Sequence, residues 1–193
     1  WEADDLIGTI SRKCEADGWD CVVVTGDKDS FQLITDTTSV LHVKTRMGQT
    51  ETILYDKARF AEEYGFAPPL MVDLKALMGD ASDNIPGVPG IGEKTALDLV
   101  RRFGTVENIY ANLETPDIKD SVRKKLDAGR ESAKMSYPLA TISRDAPIEL
   151  DPAEAAWKAD FGPELYEVLN RLGFRKFIEK WGLAPAPEAA AEA

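Results

Sequence analysis

A short apolar run, CVVVT at residues 21–25, constrains the fold more than any other feature of this sequence. Continuous apolar runs of this length are typical of strands that are buried on both faces. Residues 2–16 before the run repeat apolar side chains at helical spacing, and residues 29–34 after it predict a short helix that Asp29 caps. A buried strand between helices predicts an α/β fold.

The segments that follow extend this pattern and then change its character. Two β-rich runs, SVLHVK and ETILYD, are separated by TRMGQT, which predicts a hairpin with Gly48 in its turn. Two helices are then expected at about 56–64 and 68–78. Residues 92–180 predict helices only, apart from a possible short strand, IEL, at 148–150. Short breaks are expected at Gly104, Gly129, Pro147 and Gly173.

The charge of the chain is acidic overall but unevenly distributed. The 193 residues carry a net charge of −11, which argues against a protein that merely coats nucleic acid. Residues 85–134 hold nine Lys or Arg against eight Asp or Glu, whereas acids crowd the first third and the C-terminal tail. No apolar stretch is long enough to span a membrane, and the chain opens with acids rather than with a secretory leader. These features predict a cytoplasmic protein.

The cysteines and the histidine are not expected to take part in chemistry. Cys14 lies on the apolar stripe of the first helix and Cys21 begins the apolar run, so both are predicted to be reduced core residues. The single histidine, His42, lies in a hairpin strand and is interpreted as structural rather than as a ligand or a base. Without a Ser/His/Asp or Cys/His arrangement, covalent catalysis is not expected.

Acidic residues recur in three clusters, EADD, GDKD and GDASD, each at the predicted end of a helix or strand. Each cluster alone is compatible with solvated surface or helix capping. Together they would place seven carboxylates at one face, where hard divalent cations such as Mg²⁺ or Mn²⁺ would relieve the repulsion. Two such ions about 4 Å apart activate a water and stabilise the leaving oxygen of a phosphodiester. The candidate ligands are Glu2, Asp4, Asp5, Asp27, Asp29, Asp80 and Asp83.

A glycine-rich segment, GVPGIGEKTA, follows the third acidic cluster and leads into a predicted helix. Its spacing fits neither a Walker A loop nor a dinucleotide fingerprint. Its glycines and the free N–H groups at the helix start suit a phosphate, as in helix-hairpin-helix elements that hold the DNA backbone. A tight helix–helix turn without a ligand is the alternative. The candidate DNA-binding residues are Gly87, Gly90, Ile91, Gly92, Lys94, Thr95, Arg101 and Arg102.

Three blocks of the sequence, WEADD, VVVTGDKDSFQLI and LMGDASDNIPGVPGIGEKTALDLVRRFGTVENI, closely resemble the 5′→3′ exonuclease domain of bacterial DNA polymerase I, in the flap endonuclease superfamily. The resemblance covers about residues 1–182. It implies a PIN-like, mostly parallel sheet flanked by helices, followed by a helical helix-hairpin-helix subdomain that binds DNA. It also implies two Mg²⁺ ions, for which Mn²⁺ can substitute, and a possible K⁺ at the glycine-rich loop.

The resemblance assigns the carboxylates to two metals. It implies that Glu2, Asp4, Asp5 and Asp27 surround the first metal and that Asp29, Asp80 and Asp83 surround the second, partly through water. Asp4 and Asp27 can serve both metals, and Asp4, Asp27 and Asp29 are the implied catalytic residues. The implied substrates are 5′ flaps and nicked or gapped duplex DNA in replication and repair, with a polymerase domain on the same parent chain.

The resemblance also predicts how the chain is divided. Residues 1–83 would be the C-terminal part of the nuclease domain, 84–182 the DNA-binding subdomain and 183–193 a disordered linker. The family has a first strand, its aspartate and a helical arch before EADD, so we expect an N-terminally truncated chain that does not cleave DNA alone. Two alternatives remain: a non-catalytic module that binds duplex DNA, and a PIN-type RNase, which the glycine-rich loop disfavours.

Overall fold

The computed structural model describes residues 1–151, 153–157 and 161–186, and the chain divides into two compact units. The first unit is Trp1–Ile148 and the second is Glu149–Ala193. The predicted boundary at 83/84 lies inside the first unit and remains a proposal. Among the described residues, no helix combines the length and the apolar character needed to cross a membrane.

The first unit begins as a mixed α/β structure and continues as helices. Its elements are, in order, α1 (Ala3–Ala16), β1 (Cys21–Thr25), a 3₁₀ helix (Lys28–Leu33), β2 (Thr38–Arg46), β3 (Gln49–Tyr55), α2 (Lys57–Tyr64), a second 3₁₀ helix (Pro68–Leu70), α3 (Met71–Met78), α4 (Glu93–Phe103), α5 (Val106–Ala111), α6 (Asp120–Ala128) and α7 (Arg130–Ala140). The α/β class and the helical second half are therefore confirmed.

The described sheet has three strands in the order β1-β2-β3. Strand β1 runs parallel to β2, with Val23 opposite Val40, whereas β2 and β3 are antiparallel. The predicted hairpin is confirmed, and its turn residues Met47 and Gly48 have φ angles of 52° and 76°. Positive φ at both central residues matches the right-handed twist of the two strands. The sheet of the described residues is thus mixed, with one parallel and one antiparallel pair.

Strand β1 is not buried on both faces, contrary to the prediction from its apolar run. Val23 is 6% exposed, whereas Val22 and Val24 are 55% and 64% exposed. Alternate side chains of a strand point to opposite faces, so one face of β1 lies on the core and the other is open in the described chain. Apolar character alone could not distinguish these two environments.

The core beneath the sheet is aromatic. The fully buried Phe31 has ring-centroid distances of 4.6 Å to Tyr55, 5.8 Å to Phe60 and 5.9 Å to Tyr64. His42 is 6% exposed and packs edge-on against Phe31, with its Nε2 3.1 Å from the Gly26 carbonyl oxygen. This environment agrees with a structural histidine.

Two predicted helices differ from the structure in type or capping. The segment after β1 is a 3₁₀ helix, and its N-cap is Asp27 rather than Asp29, because the Asp27 carboxylate accepts the Asp29 N–H at 2.9 Å. Asp27 has the extended backbone that suits an N-cap, whereas Asp29 already lies within the helix. The predicted helix at 68–78 is a 3₁₀ turn followed by α3.

The second unit contains two described helices, α8 (Pro163–Arg171) and α9 (Arg175–Trp181). Residues 148–150 form no strand, so the possible strand there is absent. The breaks predicted at Gly104, Gly129 and Gly173 lie at or beside helix ends. Residues 183–186 have no regular secondary structure, and the rest of the predicted linker, 187–193, lies outside the described residues.

Candidate metal centre and nucleic-acid interface

The N-terminus of α1 supplies the first group of predicted carboxylates. Asp5 accepts the Glu2 N–H at 3.3 Å through Oδ2, which closes the first turn of the helix. Its other oxygen, Oδ1, accepts the Ser143 N–H at 2.9 Å from the segment after α7. Both Asp5 oxygens therefore already have protein partners, and Asp5 also fastens two distant parts of the unit together.

Asp4 lies among carboxylates from three different segments. Burial raises its pKa first, and the negative charges of Asp27, Glu2, Asp5 and Asp83 raise it further. Charges from this number of acids act on one carboxyl group only when the acids share one region of the structure. The three acidic clusters, separate in the sequence, therefore lie near one another around Asp4.

Asp27 and Asp29 lie just after the carboxyl end of β1, where the loop turns into the 3₁₀ helix. The Asp27 N–H donates to the Thr25 Oγ1 at 3.0 Å, and the Asp27 carboxylate accepts a hydrogen bond from the Asp29 N–H. These two bonds fix the loop, and ligand sites in open α/β sheets lie at this edge.

Asp29, Asp80 and Asp83 can each bring one carboxylate oxygen within 4.8 Å of the others. Asp80 follows α3, and its Oδ1 accepts the Ser82 N–H at 2.8 Å. The backbone groups of Asp80 and Ile85 exchange hydrogen bonds of 2.9 and 2.8 Å, which hold the loop closed. This trio is the set that was predicted around the second metal.

A lysine that the sequence analysis did not single out lies in the middle of this trio. The Lys75 side chain on α3 is only 8% exposed, and its Nζ contacts Asp29, lies 2.7 Å from Asp80 Oδ2 and 3.6 Å from Asp83 Oδ2. Its signal in the sequence is a single lysine inside the otherwise apolar stretch LKALM. A charge in a buried helix needs partners, and these are the acids.

The ammonium and its acids shift one another's pKa in different directions. Burial alone would lower the pKa of Lys75, but hydrogen bonds to Asp29 and Asp80 outweigh burial and raise it. At Asp29 burial dominates and the pKa is raised, whereas at Asp80 the hydrogen bonds from Lys75 and Ser82 dominate and the pKa is lowered. The difference follows from exposure, since the Asp29 side chain is 12% exposed and that of Asp80 21%.

The donor set fits a hard divalent cation. Oxygen atoms from Asp29, Asp80 and Asp83 meet the preference of Mg²⁺ or Mn²⁺ for carboxylates. The site already compensates part of its negative charge with the Lys75 ammonium, which contacts or approaches all three acids. The arrangement therefore favours a positive charge at this position, either the ammonium alone or the ammonium beside a metal.

The glycine-rich loop leads directly into α4, as predicted. Helix α4 begins at Glu93 after an extended Gly92, so Lys94 and Thr95 lie in its first turn. Lys94 is exposed. The first N–H groups of a helix have no intrahelical partner, and helix starts therefore favour anions even without a side chain. Ile91, by contrast, is 2% exposed and anchors the loop in the core.

Two further lysines flank the loop. Lys125 of α6 donates to the Gly90 carbonyl at 3.0 Å, and Lys119 lines a cavity of about 210 Å³ together with Lys94 and Thr95. Both lysines belong to the near-neutral stretch 85–134, but nothing in their local sequence indicates that they lie beside the loop. Their proximity depends on tertiary packing, which no local pattern encodes.

Arg101 and Arg102 contact protein groups. Arg101 Nε donates to the Tyr64 carbonyl at 2.6 Å. Arg102 lies 3.1 Å from an Asp98 carboxylate oxygen and donates to the Asp117 carbonyl at 2.9 Å. These bonds give both arginines a structural use, and their predicted DNA contacts stay a prediction.

Two family models match consecutive parts of this chain. The model described as "5'-3' exonuclease, N-terminal resolvase-like domain" matches residues 1–65, and "5'-3' exonuclease, C-terminal SAM fold" matches residues 66–161. Together they match residues 1–161, which include the whole of the first unit.

Among curated proteins, the chain is similar to DNA polymerase I from several bacteria. It is 44% identical over 181 residues to the protein of Bacillus caldotenax, covering 93% of this chain and 20% of that protein. It is 38% identical over 193 residues to the thermostable DNA polymerase I of Thermus thermophilus, covering 100% of this chain and 22% of that protein. The chain thus spans about a fifth of the length of these relatives.

Two solved structures share the fold. T5 5'-exonuclease with bound zinc is 30% identical, with a TM-score of 0.59 over 72% of this chain and 49% of that one. The catalytic core of Rad2 in complex with DNA substrate is 16% identical, with a TM-score of 0.51 over 93% of this chain and 56% of that one, and supports the fold alone. The family models, the polymerase relatives and the T5 exonuclease agree, and the chain belongs to the 5′-3′ exonuclease family.

Proposed function

We propose that this chain belongs to a divalent-metal-dependent 5′→3′ exonuclease and 5′-flap endonuclease within a bacterial DNA polymerase I. The observation that carries this proposal is the convergence of acids from three segments at one edge of the sheet. Asp4 is influenced by Asp27 and Asp83, and Asp29, Asp80 and Asp83 form the trio around Lys75. A surface that merely required solubility would not bring these acids together and partly bury Asp4, Asp29 and Asp80.

The residues proposed to hold the ions are those predicted from the sequence. Glu2, Asp4, Asp5 and Asp27 would bind one Mg²⁺, and Asp29, Asp80 and Asp83 would bind the second, with Asp4 and Asp27 able to serve both. When bound, such ions lower the pKa of a water and stabilise the charge that develops on a phosphodiester. Asp4, Asp27 and Asp29 are the proposed catalytic carboxylates.

The chain's own residues would organise the site in two ways. The Lys75 ammonium holds Asp29 and Asp80 together, so these acids stay in place when no metal is bound. The loop from Gly87 to Thr95, with Lys94 in the first turn of α4, would bind phosphates of the duplex away from the cut. A K⁺ at this loop is proposed on the ground that its Gly90 carbonyl already accepts a cation, the Lys125 ammonium.

The proposed partner is DNA with a 5′ flap, a nick or a gap, as met in primer removal and repair in the bacterial cytoplasm. A polymerase domain on the same parent chain is proposed because the chain matches about a fifth of each polymerase relative. The cleavage tests below therefore use the full-length protein that carries this chain.

The proposal is tested by cleavage of a 5′-flap substrate by the full-length protein and its Asp27→Asn variant in Mg²⁺. We expect the variant to lose at least about a hundredfold in kcat, because an amide is a weaker metal ligand than a carboxylate. Asp36→Asn is the matched control, because Asp36 is exposed and pairs with Lys57. Undiminished cleavage by Asp27→Asn would exclude the proposed ligand assignment.

A second function, a module that binds duplex DNA without cutting it, is favoured by one specific observation. The Lys75 ammonium compensates the acidic trio, so this part of the site does not require a metal for its charge balance. This alternative predicts that the wild-type protein binds duplex in a salt-dependent manner and cleaves none of the substrates in Mg²⁺ or Mn²⁺. Cleavage by the wild type would exclude it.

A further inference from the structure

The peptide groups on both sides of Gly87 are held by two serine side chains of α7. The Gly87 N–H donates to Oγ of Ser136 at 3.0 Å, and the Gly87 carbonyl accepts a hydrogen bond from Oγ of Ser132. Oγ of Ser136 donates in turn to the Ser132 carbonyl at 2.8 Å. Gly87 and Ser136 are both buried, so water does not substitute readily for these bonds. We refer to Ser132 and Ser136 as the serine clamp.

Gly87 lies between the two functional parts of the molecule. On one side are Asp80 and the hydrogen-bonded pair that it forms with Ile85, and on the other are the glycine-rich loop and α4. The next residue, Val88, donates its N–H to the Leu77 carbonyl of α3 at 2.7 Å. The segment is therefore tied to α3 by backbone bonds and to α7 by the serine clamp.

Without the clamp, Gly87 would be the natural hinge of this segment. It has a φ of +61° and no side chain of its own, and glycine has the greatest backbone freedom of any residue. Serine hydroxyls that satisfy both its donor and its acceptor remove that freedom, because rotation about Gly87 would break both bonds in a buried place.

We propose that Ser132 and Ser136 are positioning residues that fix the distance between the carboxylates and the glycine-rich loop, and so decide where a duplex held by the loop is cut. The proposal rests on the proposed nuclease function. The serines do not contact the scissile bond in this account. They act through Gly87, by keeping the phosphates bound at the loop in a fixed relation to Asp80 and Asp83.

The test uses the full-length protein and two 5′-flap substrates, one with a long duplex that reaches the loop and one with a duplex truncated before it. For Ser132→Ala we expect KM for the long duplex to rise about fivefold, with kcat within about twofold of wild type, as loss of one hydrogen bond implies. We also expect the cleavage products to spread over neighbouring positions. On the truncated duplex, the variant and wild type should have the same kinetics.

Two further variants separate positioning from folding. Ser132→Thr keeps the hydroxyl and is expected to restore the single cleavage position, and Ser121→Ala on α6 is the matched control for removing an exposed hydroxyl. Ser132 is used in place of the fully buried Ser136 because it is only partly buried, and far-ultraviolet circular dichroism would check that each variant folds.

Each remaining result would overturn the proposal in a recognisable way. Unchanged KM and a single product position for Ser132→Ala would exclude the clamp while leaving the nuclease function intact. An equal loss of activity on both substrates would assign the serines a purely structural role. Absence of cleavage by the wild-type protein would instead exclude the proposed function itself, and the clamp with it.

Discussion

The acidic trio and the glycine-rich loop are neighbours in the sequence but are stabilised by opposite means. The trio is held by side-chain charges that come from the 3₁₀ helix after β1, from α3 and from the loop after α3, and Lys75 is its centre. The loop is held by backbone groups of Gly87, Val88 and Gly90 that bond to α7, α3 and α6. The proposed cation site therefore depends on ionised side chains, whereas the proposed anion site depends on the path of the backbone.

The acidic trio and the glycine-rich loop should therefore tolerate different substitutions. The loop should be less sensitive to changes of side-chain charge than to a Cβ atom added at Gly87. The trio should be most sensitive to changes of charge, because its charges are interdependent. Each of the following predictions tests one side of this contrast.

The largest effect is expected for Gly87→Ala, which tests the loop. A Cβ atom there would lie 2.3 Å from the Gly79 nitrogen, and the φ of +61° is unfavourable for alanine. We expect the free energy of unfolding to fall by about 3 kcal/mol or more, measured by chemical denaturation. The control is Gly18→Ala, where φ is +74° but no atom lies within 4 Å, so only about 1 kcal/mol should be lost. Equal losses at the two positions would contradict the steric argument.

Lys75→Met tests the trio with a side chain of similar length and no charge. Removing the ammonium leaves the acids without their compensating charge, and we expect a loss of about 3 kcal/mol in unfolding free energy in the presence of EDTA. Mg²⁺ should restore more stability to this variant than to wild type, because the metal would replace the missing charge. Lys44→Met, at an exposed position of β2, is the control. If Lys75→Met were as stable as the wild type in EDTA, the acids would need no compensating positive charge.

Lys94→Ala tests whether charge matters at the loop. Because backbone N–H groups would supply most of the anion binding, we expect duplex affinity to fall only about fivefold, with the salt slope reduced by about 1. The measurement is a fluorescence titration of labelled duplex at several salt concentrations, in Ca²⁺ to suppress cleavage, with Lys44→Ala as control. An unchanged affinity would remove Lys94 from the interface, and a complete loss would mean that the side chain outweighs the backbone.

The smallest effect is expected for Asp73→Asn, a buried acid of α3 that is held by a backbone N–H rather than an ammonium. Asp73 is 2% exposed and accepts the Val106 N–H at 2.7 Å. Burial raises its pKa above the ordinary value of 3.8, although the Val106 bond opposes this shift. The folded state therefore binds the proton more tightly than the unfolded state. As the pH rises from below 3.8 to above the raised pKa of the folded state, ionisation of Asp73 lowers the free energy of unfolding.

We accordingly expect Asp73→Asn to raise the free energy of unfolding at pH 7 by up to about 1 kcal/mol. The gain should shrink as the pH falls through the raised pKa of the folded state and vanish well below 3.8, where the aspartate is protonated in both states. Denaturation at pH 7 and pH 4.5 measures the difference, with exposed Asp36→Asn as control. A loss of stability at pH 7 would show that the charged form is favoured by the Val106 bond.

Much of the fold followed from periodicity and turn residues. The first helix, the strand at 21–25, the hairpin around Gly48 and the breaks at Gly104 and Gly129 were predicted close to where they lie. The double burial of β1 was wrong, because an apolar run does not reveal whether a second layer covers it. The cap at Asp29 was also wrong, because the choice between Asp27 and Asp29 depends on which residue is still extended.

The candidate site was predicted in its acids and its loop but not in what surrounds them. Lys75 had a signal, a single charge in an apolar helix, but its partners come from segments far apart in the chain. Lys125 and the serine clamp had no signal in the sequence, because exposed lysines and helical serines are common. Only packing brings Lys125 to Gly90 and the two serines to Gly87.

By itself, the sequence determined the chemistry that this protein can offer: carboxylates at three element ends, glycines before a helix, and the motifs of the 5′-3′ exonuclease family. Those properties are local, since they depend on residue type, spacing and backbone freedom. Only the tertiary structure decided which of these groups meet. The Lys75 ammonium joins Asp29 to Asp80, which is 51 residues further along the chain. Ser132 and Ser136 hold Gly87, which lies more than forty residues before them. Such contacts depend on how helices pack, and packing is a property of the whole core rather than of any segment.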